Sequence, residues 1–195
     1  MTVVELIDIL LEDKPSTKLR EKKEELIELI PEIKECDGFD QHSEWHQYDV
    51  LEHILHVIDN VEKNKVLRIA ALFHDIKKPE VFYLDERGGH FPEHWTKSAL
   101  AFKEFAIKYK LDNELVDKVY NLILFHDLDI DHHEDKINDI VGLFTKEEID
   151  MLFDFKKADL LAQNEKFKYR LEDYKRQKER ILKEYERSTK DEYYI

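Results

Sequence analysis

"ALFHDIKKPEVF", residues 71–82, closes an apolar run with a histidine and an aspartate side by side, followed by two lysines and a proline. In the run leading to it, "VLRIAALFHDI", His74 falls one turn after Ala70 and two turns after Leu67, on the side that a core helix buries. Titratable groups on a buried face are costly unless something compensates them. Neighbours on a helix point about 100° apart, so they converge on one point only where the helix stops. Pro79 marks such a stop close by.

Helical spacing runs through most of the chain. Only four glycines and four prolines punctuate 195 residues, too few for the turns of a β protein or for a Gly-rich phosphate loop. Apolar spacings of three and four predict helices near 2–12, 16–35, 49–62, 65–77, 94–109, 112–126, 145–163 and 166–188. The exception is "EVFYLDERGGHF", where two short apolar-aromatic runs flank Gly88-Gly89, a pair suited to the positive backbone angles of a tight turn. The expected fold is therefore all-α, with a small β-hairpin near residues 80–92.

No internal repeat, low-complexity segment or Ser/Gly-rich linker divides the chain, so a single domain is expected over residues 1–195. Its core would lie at about 37–165, with N-terminal helices over 1–36 and a C-terminal helix over 166–190. That last helix carries a narrow stripe of Phe167, Leu171, Tyr174, Ile181 and Tyr185 on a strongly charged background. Packing along the core is the first reading of the stripe, and a homodimer contact is the second.

Composition excludes several classes. With 42% hydrophobic and 39% charged residues, the chain can bury a sizeable core and stay well hydrated. A formal charge of −14 argues against stable nucleic-acid binding, which selects for clustered Lys and Arg. The single cysteine, Cys36, allows neither an internal disulfide nor a cysteine-based zinc site, and fits a reducing compartment. "MTVVELIDILLEDK" lacks a basic leader and reads as an amphipathic helix, and no run approaches transmembrane length. The expectation is a cytoplasmic protein without a membrane partner.

Further polar residues share the inward side. In "DVLEHILHVIDNV", His53 lies between Val50 and Val57 of the apolar stripe. In "IDMLFDFKKADLLAQN", Asp159 falls two turns after Leu152 and one after Phe155. Any one of these alone reads more simply as a hydrogen-bonded core histidine or a salt-bridged carboxylate. Together, two histidines, an adjacent aspartate and a distant aspartate make a mixed nitrogen and oxygen site suited to a divalent metal. His94, opening "HWTKSALAFKEF", and His126, ending "VDKVYNLILFH", widen the cluster, with capping or surface roles as the alternative. His132 and His133 in "DLDIDHHEDK" read as part of a solvated loop, and His42 and His56 as structural.

The order His53, His74-Asp75, Asp159 resembles the H…HD…D signature of the HD superfamily of metal-dependent phosphohydrolases, an all-helical fold. "GFDQHSEWHQYDVLEHILHVIDN", "RIAALFHDIKKP", "HFPEHWTKSALAF", "LILFHD" and "ADLLAQN" are similar to the HD domain of bacterial CCA-adding tRNA nucleotidyltransferases, over roughly residues 37–165. The resemblance implies His53, His74, Asp75 and Asp159 as metal ligands, with Asp75 able to bridge two ions. It implies that His94 and His126 complete a second metal site or bind substrate phosphate, and that Lys78 contacts a phosphate oxygen. Asp75, Lys78, His94 and His126 are the expected catalytic groups. The family usually has glycine where Lys77 stands, and Lys77 reads as a surface lysine. Nothing in residues 1–36 resembles the nucleotidyltransferase head, so CCA addition is not expected of this chain.

The implied function is a phosphomonoesterase or phosphodiesterase acting on a nucleotide or other small phosphoester. It would use one or two divalent ions of manganese, iron, nickel, cobalt, zinc or magnesium. The alternative is a non-catalytic module that holds metal or nucleotide, or an accessory subunit in tRNA or RNA metabolism.

Overall fold

The computed structural model describes residues 1–131 and 135–191, with side chains through residue 188 at the C-terminal end. The chain is all-α with one small hairpin, as the spacing predicts. His132 and His133 lie outside the described residues.

Helix α1 (Val3–Leu10) starts at Thr2, whose hydroxyl accepts the Glu5 N–H. The single helix expected over 16–35 is three: α2 (Pro15–Glu21), α3 (Lys23–Leu29) and α4 (Ile33–Cys36). Pro31 supplies one of the two breaks, because it pushes Ile30 out of the helical region, to φ −130 and ψ 88. The apolar stripe survives the breaks, with Leu19, Leu26, Leu29 and Ile33 all buried.

Two central helices carry the decisive stretch. Asp49 caps α5 (Val50–Asn60) by accepting the Glu52 N–H, and Asn64 caps α6 (Lys65–Phe73) by accepting from Val66 and Leu67. Every residue of α6 from Leu67 to Phe73 is buried, because α5, α9 (Asn113–Phe125) and α8 (His94–Tyr109) all pack on it. Helix α6 was expected to reach residue 77 but ends at Phe73. Pro79 does not terminate it. Pro79 sits in the first turn of a short new helix, α7 (Lys78–Val81), where its missing N–H costs nothing.

The hairpin pairs β1 (Tyr83–Asp85) with β2 (Gly88–His90), antiparallel, with Asp85 opposite Gly88. The turn residues are therefore Glu86 and Arg87, not the two glycines. Asp85 Oδ1 accepts the Arg87 N–H at 2.8 Å and stabilises that turn. The glycines serve a close approach instead. A Cβ on Gly89 would stand 2.1 Å from the Gln41 carbonyl oxygen, and one on Gly88, at φ +115, would stand 2.7 Å from that of His42.

Helices α8 and α9 are joined through Lys110 in the left-handed region and an Asp112 cap. A further helix, α10 (Lys136–Leu143), stands between the helices predicted at 112–126 and 145–163, and buries Ile140. Thr145 and Glu148 form a capping box that opens α11 (Lys146–Ala162), which packs on α5. A 3-10 turn (Glu165–Arg170) then leads into α12 (Leu171–Asp191). Helix α12 lies along α10 and α11, with Ile181 and Gln177 fully covered, so the stripe packs on the core. Among the described residues, no helix is long and apolar enough to cross a membrane.

Candidate metal centre

Five helices deliver side chains to one point: His53 from the middle of α5, His74 and Asp75 from the end of α6, His94 from the start of α8, His126 from the end of α9 and Asp159 from α11. All six are buried. The helix ends do part of the orienting. His74 and His126 occupy the C-cap positions of α6 and α9, where carbonyl groups lack helical partners, and each ring turns back onto one of them. His74 Nδ1 donates to Ala71 O at 2.8 Å, and His126 Nδ1 donates to Ile123 O at 2.7 Å. His94 Nδ1 likewise donates to Phe91 O at 2.8 Å. With a proton held at Nδ1, each ring directs Nε2 inward, and its neutral form is the tautomer a metal requires.

Asp75 stands between two groups of imidazoles. Its Oδ2 lies 3.2 Å from His74 Nε2, 3.4 Å from His53 Nε2 and 2.7 Å from Lys78 Nζ. Its Oδ1 lies 3.2 Å from His94 Nε2 and 3.7 Å from His126 Nε2, yet accepts no hydrogen bond. Asp159 Oδ1 closes the first group, 2.8 Å from His53 Nε2 and 3.8 Å from His74 Nε2. His53, His74 and Asp159 form one set of converging ligand atoms, and His74, Asp75 and His126 form another. Lone pairs facing lone pairs at these distances repel unless a proton or a cation lies between them. These buried His and Asp groups can hold a metal ion.

The electrostatics agree. Burial opposes a charged ring at His74, but the carboxylates of Asp75 and Asp159 outweigh it and raise the group to about 10. Burial pushes Asp75 upward, and His74 and Lys78 overcome this to hold it well below the usual carboxylate range. Asp159 is held low in the same way, against its burial, by His53 and His74. His126, lowered by burial, favours the neutral ring. Without a metal, the two carboxylates thus draw positive charge onto His74, beside Lys78, while burial keeps His126 neutral.

Several residues around the cluster were not singled out from the sequence. Gln41, buried, accepts from Lys78 Nζ at 3.0 Å and donates to Tyr48 O, and so fixes the ammonium beside Asp75. Gln163 Nε2 donates to Asp159 Oδ2 at 3.2 Å, on the side away from the histidines. His46 packs edge-on against His53 at 5.2 Å, and its buried Nδ1 has no partner. Burial holds its pKa well below the ordinary histidine value, so the ring is neutral. The only available signal was position, since Gln41 and His46 flank His42 within "GFDQHSEWHQYD". Lys77 points elsewhere, to Glu32 and Glu80, in keeping with its reading as a surface residue.

A cleft of about 370 Å3 opens onto the cluster, reaching Asp75, Lys78, His94, His126 and Asp159, with His46 and the hairpin residue Arg87 on its walls. His53 and His74 lie behind these and do not line it. Of the other expected structural histidines, His56 stacks on Tyr48, and His42 sits in the left-handed region beside the hairpin. Compared with known proteins, the chain matches no family model and no curated protein.

Proposed function

We propose that this protein is a metal-dependent phosphohydrolase of the HD superfamily, acting on a nucleotide or another small phosphoester. The observation that carries the reading is the buried, unsatisfied Oδ1 of Asp75, opposite the Nε2 atoms of His94 and His126, at the floor of an open cleft. His53, His74, Asp75 and Asp159 would hold one divalent cation, and Asp75, His94 and His126 a second. Such a cation supplies Lewis acidity and a water of lowered pKa for phosphoryl transfer.

The chain's own residues do the remainder. Lys78 brings an ammonium to the cleft wall, where it meets phosphoryl oxygens, and Gln41 keeps it there. Gln163 orients the Asp159 carboxylate, the kind of outer contact on which ligand geometry depends. His46 offers the cleft a neutral imidazole able to give or take a hydrogen bond. The cleft also favours catalysis over a purely structural ion, because a closed ligand shell would leave substrate no approach.

The test is hydrolysis by chelator-stripped protein with each divalent metal restored in turn, read as phosphate release for monoesters and as chromatographically separated monoester product for diesters and cyclic nucleotides. Substrates are 2′,3′-cyclic nucleotides, nucleoside monophosphates and a generic phosphodiester, with Asp75→Ala as the blank. Metal-restored turnover that the blank lacks is the expected result. Silence across every metal and substrate, with folded protein, would overturn the reading and favour a module that holds metal or nucleotide without turnover.

A further inference from the structure

A second, larger cavity of about 590 Å3 adjoins the metal cluster, with Trp95, Leu124, Phe125, Leu128 and Leu143 as its apolar walls. It meets the cleft over the cluster at Asp127, and the Trp95 ring on its wall stands 5.1 Å from that of His94. Trp95 follows His94, Phe125 and Asp127 bracket His126, and Asp127 lines both this cavity and the cleft over the cluster. None of the clustered His and Asp side chains lines this cavity, so a molecule whose phosphate reaches His94 and His126 would enter it past Asp127. The volume falls in the range of about 300–1,000 Å3 typical of small-molecule sites.

The charge of the cavity narrows what it can take. Among the described residues, Asp127, Asp129 and Asp139 line it with Lys136, and the nearby cations are already engaged, Lys136 with Asp139 at 2.9 Å and Arg170 with Asp129 at 3.1 Å. A second phosphate would be repelled there. An uncharged ring would be buried against Trp95 and the leucines, gaining both apolar contact and ring stacking.

We propose that this cavity holds the alcohol half of the substrate, and that this half is an uncharged, ring-bearing apolar group rather than a further phosphate. The inference rests on the phosphohydrolase reading above. In the reaction, the oxygen of water bonds to phosphorus as the bond from phosphorus to the alcohol oxygen breaks. A proton from the water ends on that leaving oxygen, giving inorganic phosphate and the free alcohol.

Calorimetric titration of Mn2+-loaded protein with 1-naphthylphosphonate and with methylphosphonate, neither of them hydrolysable, reads the subsite without turnover. The naphthyl ligand is expected to bind at least about tenfold tighter. Trp95→Ala should cut that ratio at least about fivefold, while Trp95→Phe retains most of it. Leu143 is exposed, so Leu143→Glu provides a second variant that folding tolerates, and it too should lower the ratio. Equal affinity for the two phosphonates, or a preference that survives both Trp95→Ala and Leu143→Glu, overturns the inference. Phosphate release from 1-naphthyl phosphate, methyl phosphate and ADP separates it from the reading beneath. Turnover of methyl phosphate or ADP as fast as of the naphthyl ester leaves the phosphohydrolase standing and removes the apolar subsite, whereas no turnover of these or of the cyclic nucleotides and phosphodiester above removes both.

Discussion

Asp75 is the residue on which the most depends. Its carboxylate is fully covered and faces one ammonium and four imidazoles, so its compensation comes from His74 and Lys78 until a metal arrives. Lys78→Met keeps the side-chain stem but removes the charge, and breaking a buried pair of this kind costs about 3–5 kcal/mol. Chemical denaturation of chelator-treated protein should show that loss, and saturating Mn2+ should recover more stability in Lys78→Met than in the wild type. Equal recovery in the two proteins would mean that metal and lysine do not neutralise the same carboxylate. Asp75→Asn should weaken Mn2+ binding, measured by calorimetry, by more than the ~100-fold upper range seen for outer contacts.

Between helices, single polar contacts hold the site elements in place. Lys156 on α11 is buried and donates to His126 O and Leu128 O, both at 2.7 Å, which ties α11 to the end of α9. Lys156→Met leaves two carbonyl groups short of a donor and should cost about 1–3 kcal/mol. Burial lowers this lysine from its ordinary 10.5 to about 8. Between those values the unfolded chain binds more protons than the folded one, so stability gains a rising contribution as pH goes from 8 to 10.5. Urea midpoints at pH 8 and pH 10 should therefore diverge less in Lys156→Met than in the wild type. The hairpin depends on a different contact, the seat of Gly89 against Gln41, where Gly89 N–H also donates to His42 O at 2.8 Å. Gly89→Ala overpacks this seat at an expected cost of about 1–3 kcal/mol, read as a lower Tm, and by displacing Gln41 it should loosen Lys78 as well.

For the whole molecule, the ligands span the chain from His53 to Asp159, so a bound ion closes the fold across α5, α6, α8, α9 and α11 together. Divalent metal at about 100 times its Kd should stabilise the protein by about 2.7 kcal/mol. The Tm should rise accordingly, with chelator reversing the rise and Asp75→Ala abolishing it at unchanged helical content. A Tm indifferent to every divalent ion would contradict a metal centre spread over the core.

The sequence by itself determined where most helices run and which side each buries. The 3.6-residue period marks Val50, His53 and Val57 as one face, and Leu152, Phe155 and Asp159 as another, and the structure buries all six. The sparse glycines and prolines likewise settled the all-α class. Local signals misled where two explanations fit one residue. Gly88 and Gly89 read as a turn but serve the approach of Gln41 and His42. Pro79 read as a stop but opens α7, and the apolar spacing over 16–35 ran unbroken through Pro31. Only the tertiary structure decided that His94 and His126 aim at the same carboxylate oxygen, that Lys78 turns back onto Asp75, and that Gln41, His46 and Gln163 join them. Periodicity tells which way a side chain leaves its own helix. Convergence depends on the crossing and offset of helices distant in the chain, which are fixed by packing across the whole core.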